Sequence, residues 1–138
     1  MNEKALEILL AEDRPDDAVL TGEVLKQAGI DCNLVAVPNG VEAISYLKSA
    51  IAGSVVNPDL VLLDLNMPLS GGHDVLQEMR SELGIQEIPV IVLTVSTADE
   101  DINRALDSGM NFYLKKPARP DTLGSLVKTV VTLWSRNS

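Results

Sequence analysis

The feature that most constrains the fold of this chain is an apolar run, residues 60–63, that ends at Asp64. Strands covered on both faces of a parallel sheet are apolar along their whole length, whereas half-exposed strands alternate apolar and polar residues. Pro58 and Pro68 bound the run, and proline is tolerated near the ends of a strand but not within a hydrogen-bonded ladder. We therefore predict a buried central strand that carries the carboxylate of Asp64 to the carboxyl edge of a sheet.

Four further apolar runs resemble this one, and each strand is followed by a helical repeat of apolar residues. The predicted strands cover residues 7–11, 32–37, 60–63, 88–93 and 111–115, and the helices lie between them and after the last. Five alternating strand–helix units predict an α/β fold with a parallel sheet between two layers of helices. We expect the flavodoxin-like (βα)5 doubly wound arrangement, with strand order 2-1-3-4-5 and a switch point between strands one and three.

Composition indicates one compact domain whose direct partner is a protein. We expect a single domain over residues 1–138 with no output domain, since this length and a hydrophobic fraction of 46 % suit one core. A net charge of −9 disfavours binding to nucleic acid or to an anionic membrane. Cys32 is the only cysteine, and the N-terminus lacks the apolar core of a signal peptide. We therefore expect a cytoplasmic protein that spans no membrane.

Polar side chains follow several of the predicted strands at the edge where ligands of such sheets bind. An aspartate after a single strand most often only begins a turn, but parallel strands should bring five such groups together: Glu12, Asp13, Asp64, Thr94 and Lys116. Three neighbouring carboxylates repel one another, and a hard divalent cation such as Mg²⁺ would offset that repulsion. With a carboxylate nucleophile, a metal, an ammonium group and a hydroxyl, this edge is suited to holding a phosphoryl group.

These motifs resemble the receiver domain of two-component response regulators over nearly the whole chain. The matching segments are Glu12-Asp13, then Asp64 followed by Leu65-Asn66-Met67-Pro68, then Thr94, and finally Lys116-Pro117. Within that family the sequence is most similar to the single-domain regulators that pair with bacterial phytochromes. The finer similarity rests on the segment after the first strand, the Asn57-Pro58 loop and the C-terminal Trp134.

The resemblance implies that Asp64 accepts a phosphoryl group from a phosphohistidine on a sensor histidine kinase. The finer similarity places a bacteriophytochrome among the candidate kinases. Mg²⁺ would be bound by Asp13, Asp64 and the backbone carbonyl of Asn66, with Glu12 acting through a coordinated water. Lys116 would pair with the phosphoryl oxygens. The family also implies a cis peptide bond between Lys116 and Pro117.

The resemblance further implies a switch at the end of the fourth strand. Thr94 would move to the phosphoryl group, and Tyr113 would turn into the space that it leaves. The surface that changes would be formed by the helix from Ala98, the fifth strand and the last helix. Val95 replaces the small residue usual after the threonine, so we expect narrower access to Asp64 or a restricted Tyr113. Gly71 stands where an aspartate is frequent.

The last helix predicts a homodimer, because its apolar surface is wider than packing on one sheet requires. The stripe expected to face the sheet contains Leu123, Val127, Val130 and Trp134, and it is widened by Leu126, Val131 and Leu133. A surface helix often carries stray apolar residues, and this alternative stays open. The family resemblance favours the dimer, through the same face as the switch.

Two other function classes share the fold. A phosphatase with an aspartyl nucleophile would have a second aspartate two residues after the first, where this chain has Asn66. Without that general acid we expect no enzyme activity on outside phosphoesters. A flavin- or nucleotide-binding module would have a phosphate-cradling loop after the first strand, where Glu12-Asp13 would instead repel phosphate.

Overall fold

The computed structural model describes residues 5–67, 71–95 and 98–137, with the backbone alone over 134–137. Five strands alternate with five helices in the order β1 (Leu6–Ala11), α1 (Pro15–Gln27), β2 (Cys32–Val37), α2 (Gly40–Ile51), β3 (Leu60–Asp64), α3 (Gly72–Gln77), β4 (Val90–Thr94), α4 (Asp99–Ser108), β5 (Phe112–Lys115) and α5 (Pro120–Asn137). A π-helical segment, Glu78–Glu82, continues α3. The predicted alternation of strands and helices is confirmed.

The strands form one parallel sheet in the order β2-β1-β3-β4-β5. This is the predicted doubly wound order, in which β1 lies between β2 and β3 and pairs in parallel with both. β3 lies in the middle of the sheet, and all five of its residues are buried. The unbroken apolar run therefore has the position that its composition predicts.

Two apolar cores cover the two faces of the sheet, because successive side chains of a strand point to opposite faces. In β1, Ile8 and Leu10 pack with α1 and α5, whereas Leu9 and Ala11 pack with α2, α3 and α4. The inward stripe of α5 contains Leu123, Val127 and Val130, each fully buried. Both faces of the sheet are thus covered, and the carboxyl edge is left as the place for polar groups.

The apolar spacing of α2 predicts an inward stripe that includes Val41 and Ile51, but the helix packs on the sheet through a different face. Val41 and Ile51 are 56 % and 58 % exposed, and the residues that pack on the sheet are Ala43, Ile44, Leu47 and Ala50. The small side chains of the two alanines allow this helix to lie close to the sheet. Side-chain size therefore determines which face of α2 is buried as much as hydrophobicity does. In α4, the apolar spacing predicts Ile102, Ala105 and Leu106 as the inward side, but Leu106 is 51 % exposed.

Two of the sequence predictions concern parts of the chain outside the described residues, namely Pro68 and the side chain of Trp134. The predicted cis bond between Lys116 and Pro117 is confirmed. Within the described ranges, every helix is too short or too polar to cross a lipid bilayer.

Candidate functional site

The carboxyl edge of the sheet brings together the acidic residues at the ends of β1 and β3. Ala11 of β1 is in register with Leu63 of β3, so the next residues, Glu12 and Asp64, lie side by side. Carboxylate oxygens of Glu12, Asp13 and Asp64 all lie within 4.8 Å of one another. Residues separated by about fifty positions thus form one acidic cluster, as the strand order predicts.

Lys116 reaches this cluster from the other side of β3. Thr94 of β4 is in register with Lys115, and the backbone N–H of Lys116 donates to the carbonyl of Thr94 at 2.8 Å. The Lys116 ammonium then donates to Glu12 Oε1 at 2.5 Å and to Asp64 Oδ2 at 3.3 Å. The cluster and the lysine therefore form one charged network at the end of the central strands.

The network is largely shielded from water. The side chains of Glu12, Asp64 and Lys116 are 0 %, 7 % and 15 % exposed. Burial raises the pKa of Glu12 to about 7, although its hydrogen bond from Lys116 acts in the opposite direction. Burial alone would lower the pKa of Lys116, but the hydrogen bond to Glu12 and the charge of Asp64 outweigh it and raise that pKa. The site thus holds more negative charge than its lysine can neutralise.

The orientation of Asp64 is determined by contacts to both of its carboxylate oxygens. Oδ1 accepts a hydrogen bond from the backbone N–H of Asn66 at 3.0 Å, and Oδ2 contacts Lys116. The carboxylate is therefore held at the mouth of the site with a donor on each oxygen, and this arrangement suits a nucleophile that must keep one direction of approach.

The remaining predicted positions lie around this network. Thr94 is fully buried at the end of β4, and Tyr113 on β5 is 43 % exposed. Val95, 65 % exposed, lines a cleft of about 250 Å³ that Lys116 also lines. Gly71 precedes α3, where an added Cβ would make only ordinary contacts, at 3.5 Å from the nearest atom. Val95 thus lies beside the cleft that leads to the lysine, and its effect on access to Asp64 stays a prediction.

The sequence reasoning missed one member of the network, Asp17 in the first turn of α1. Its Oδ2 lies 3.4 Å from the Lys116 ammonium, so a fourth acidic side chain joins the group. The signal that would have found it is its position, because a carboxylate four residues after Asp13 at the start of a helix must lie near the same edge of the sheet.

The residues present fit a divalent cation. Hard cations prefer oxygen ligands, and Glu12, Asp13 and Asp64 supply three carboxylates at one edge, two of them buried. Asp17 is not part of that set, and its carboxylate contacts the lysine instead. The acidic cluster therefore offers suitable ligands for a cation, and Lys116 is a separate cationic group beside it.

The raised pKa of Glu12 leads to a prediction about metal binding. The carboxyl is mostly protonated at pH 6 and mostly ionised at pH 8, and a cation binds the ionised form. The affinity for Mn²⁺, measured by titration calorimetry, should therefore rise about tenfold from pH 6 to pH 8. The Glu12→Gln variant should show a much flatter pH dependence. Equal affinity of the unaltered protein at both pH values would contradict the assignment.

Sequence comparison connects this geometry with known proteins. The response regulator receiver domain family matches residues 8–128. The response regulator Rcp1 of Synechocystis sp. is 35 % identical over 130 residues, which are 92 % of this chain and 87 % of Rcp1. FilR2 of Methanothrix harundinacea, a probable methanogenesis regulatory protein, is 35 % identical over 127 residues, which are 92 % of this chain and 82 % of FilR2.

Solved structures resemble the chain over nearly its whole length. The phosphorylated cyanobacterial phytochrome response regulator RcpA is 34 % identical, covers 98 % of this chain and 97 % of its own, and gives a TM-score of 0.78. The Mn²⁺-bound form of Rcp1 is 34 % identical with 94 % coverage of both chains and a TM-score of 0.74.

Proposed function

The chain belongs to the response regulator receiver domain family, and from this premise we propose that Asp64 accepts a phosphoryl group from a sensor histidine kinase in an Mg²⁺-dependent reaction. The observation that carries the proposal is the contact of the Lys116 ammonium with Asp64 Oδ2 beside two further carboxylates. A lysine placed there can neutralise oxygens of a group that becomes attached to Asp64.

In the proposed step, a carboxylate oxygen of Asp64 attacks the phosphorus of a phosphohistidine. A P–O bond forms while the P–N bond breaks, and the imidazole nitrogen leaves with the electron pair and takes up a proton. Later attack by water on the acyl phosphate restores the carboxylate and releases inorganic phosphate. The chain therefore acts as a signalling protein whose modification is temporary.

The described residues at the site have separate proposed tasks in this reaction, and Asp64 and Asn66 each have two. The N–H of Asn66 orients the nucleophile, and Lys116 moves from the free carboxylate to the phosphoryl oxygens. Asp13, Asp64 and the backbone carbonyl of Asn66 would hold Mg²⁺, with Glu12 acting through a water. When bound, the cation offsets the repulsion among the carboxylates and neutralises charge on the phosphoryl group.

The proposed output is a change in the surface of α4, β5 and α5. Thr94 would turn toward the phosphoryl group, and Tyr113, which is 43 % exposed in the unmodified protein, would turn inward. The two residues lie on adjacent strands, and Thr94 is in register with Lys115. A local charge change at Asp64 would in this way alter a surface available to other proteins.

Phosphorylation by acetyl phosphate tests the proposal. Intact-mass spectra should show one added phosphoryl group with Mg²⁺ present and none with excess chelator. The Asp64→Asn variant should remain unmodified, because its amide is not a nucleophile. Asp59→Asn is the matched control, since Asp59 precedes the same strand at its opposite end, and it should be modified like the unaltered protein.

Modification of Asp64→Asn to the same extent would overturn the proposal. A second arm identifies the donor, and we propose a phytochrome kinase because RcpA and Rcp1 are similar over almost the whole chain. Transfer from a kinase without a photosensory domain, in preference to any bacteriophytochrome, would refute that part alone. Because such kinases present their phosphohistidine in the cytoplasm, the proposal includes a cytoplasmic location.

We also propose a homodimer through the face of α4, β5 and α5. The apolar surface of α5 supports the dimer less than the sequence suggested, because Leu126 and Val131 pack partly against the protein's own core. Better support comes from three exposed apolar residues, one on each element of that face: Leu106, Tyr113 and Leu133. β5 is also the edge strand of the sheet, so a second copy could approach it from the side.

Light scattering after size exclusion tests the dimer. At high micromolar concentration the unaltered protein should have twice the monomer mass, and Leu106→Glu should reduce it to the monomer mass by placing a charge in the contact. Val41→Glu changes an equally exposed residue on α2 and serves as the control. A monomer mass for the unaltered protein, with and without phosphorylation, would exclude the dimer.

A further inference from the structure

Asp17 contributes a carboxylate to Lys116 from outside the cation cluster. Glu12 and Asp64 reach the lysine from the ends of two strands, whereas Asp17 comes from the first turn of α1. Its side chain is 35 % exposed, more than those of the other two carboxylates or of Lys116 itself. The lysine is therefore held between an inner pair of carboxylates and one outer carboxylate.

The three contacts use the whole donor capacity of the lysine. An ammonium group has three N–H donors, and here each carboxylate is within reach: 2.5 Å for Glu12, 3.3 Å for Asp64 and 3.4 Å for Asp17. A phosphoryl group on Asp64 would bring further oxygens and further negative charge. The donor that now contacts Asp64 can turn to one of those oxygens, but Lys116 can pair with a second only by weakening its contact with Glu12 or with Asp17.

Asp17 is the contact that should weaken. Glu12 is fully buried and makes the shortest contact, so breaking that pair would leave a buried carboxylate with no cationic partner and only the backbone N–H of Arg14, at 3.3 Å, as a described hydrogen-bond donor. Asp17 is partly exposed, and Arg14 lies 3.6 Å from the same oxygen, so it keeps a cationic neighbour and access to water when Lys116 moves. The cost of release is therefore smallest at Asp17.

We propose that Asp17 is a positioning residue that competes with the phosphoryl group for Lys116 and so favours the unphosphorylated state. The inference rests on the proposed function, because it assumes that Asp64 is the acceptor. Asp17 is not needed to keep the lysine at the site, since Glu12 already anchors the ammonium from the buried side. Its main effect on a phosphorylated Asp64 is thus to draw the neutralising charge outward.

Beryllofluoride binding tests this proposal, because this anion binds reversibly to a carboxylate oxygen and imitates a phosphoryl group without phosphoryl transfer. With Mg²⁺ present, titration calorimetry should show Asp17→Asn binding beryllofluoride about three- to fivefold tighter than the unaltered protein, the range expected for a partly exposed ion pair. Asp16→Asn is the matched control, since Asp16 is exposed, lies in the same helical turn and loses the same charge. It should leave the affinity unchanged.

Two further variants separate positioning from general stability. Asp17→Glu keeps the charge and should bind as the unaltered protein does, whereas Asp17→Ser removes the charge with a different side chain and should match Asp17→Asn. Equal affinities of Asp17→Asn and Asp16→Asn, or weaker binding by Asp17→Asn, would overturn the proposal. Failure of the unaltered protein to bind beryllofluoride, or undiminished binding by Asp64→Asn, would instead refute the proposed function.

Discussion

Replacing Arg80 with methionine is expected to lower the free energy of unfolding by about 3 kcal/mol, because the loss of a half-buried charged donor removes hydrogen bonds from several acceptors at once. Methionine keeps much of the apolar length of the arginine, so the change removes mainly hydrogen bonds. Arg80 lies in the π-helical segment Glu78–Glu82, half-buried beneath the turn between α4 and β5.

The guanidinium of Arg80 donates four hydrogen bonds to other segments. Nε donates to the carbonyl of Gly109 at 3.0 Å, and Nη1 donates to the carbonyls of Ile85 and Ile88 at 2.9 and 2.8 Å. Nη2 donates to Asn111 Oδ1 at 2.9 Å. Burial lowers the pKa of Arg80, but the group stays charged at neutral pH. One side chain thus joins the end of α3, the loop before β4 and the turn before β5.

Urea denaturation followed by circular dichroism measures the effect. Arg119→Met is the control, because the Arg119 side chain is 78 % exposed and its only described ion pair, with Asp121, lies at the surface. We expect that variant to change the unfolding free energy by less than about 0.5 kcal/mol. A loss below about 1 kcal/mol for Arg80→Met would show that water replaces the missing donors.

The second large effect is expected at Gly72, the first residue of α3. A Cβ added there would lie 2.7 Å from the carbonyl oxygen of Asp64 and 2.7 Å from the Cα of Leu65. Both atoms belong to the backbone, so neither can rotate away as the end of a side chain could. Gly72→Ala should therefore displace the end of β3 and cost about 2 to 3 kcal/mol of unfolding free energy.

Gly72→Ala should also impair the site, because the displaced backbone carries the acceptor. We expect phosphorylation by acetyl phosphate to slow by on the order of tenfold or more, since small misplacements of a reacting group are costly. Gly71→Ala is the neighbouring control, where the nearest atoms to the new Cβ lie at 3.5 and 3.6 Å. A normal phosphorylation rate in folded Gly72→Ala would refute the claim that this glycine positions Asp64.

Much of the site was predictable from the sequence because parallel strands carry their following residues to one edge of a sheet. The buried run of β3 placed Asp64 at that edge, and the strand order placed Glu12 beside it. The resemblance to receiver domains added roles for Lys116 and Thr94. These predictions needed the limits of the strands, which local patterns of apolar residues and prolines indicate. They also needed the strand order, which follows from the rules for crossover connections in doubly wound sheets.

The helix faces were less predictable, because apolar residues at helical spacing can be divided into more than one stripe. The pattern in α2 suggested Val41 and Ile51 as inward residues, but both are exposed, and the small side chains of Ala43 and Ala50 face the sheet instead. In α5, Leu126 and Val131 were predicted to widen the apolar surface beyond what packing on the sheet requires, yet both pack partly against the core. Which apolar residues of a helix become buried depends on how closely that helix approaches the sheet.

The sequence by itself determined the five strand–helix units, the buried central strand and the acidic edge, because periodicity, strand breakers and charge are local properties of the chain. Long-range contacts made by side chains in the helical segments became defined only when the chain folded, both at that edge and away from it. Asp17 and Lys116 are separated by 99 positions, and Arg80 and Asn111 by 31. Such pairs depend on the direction and distance of packed side chains, and no local pattern specifies these until the helices lie against the sheet.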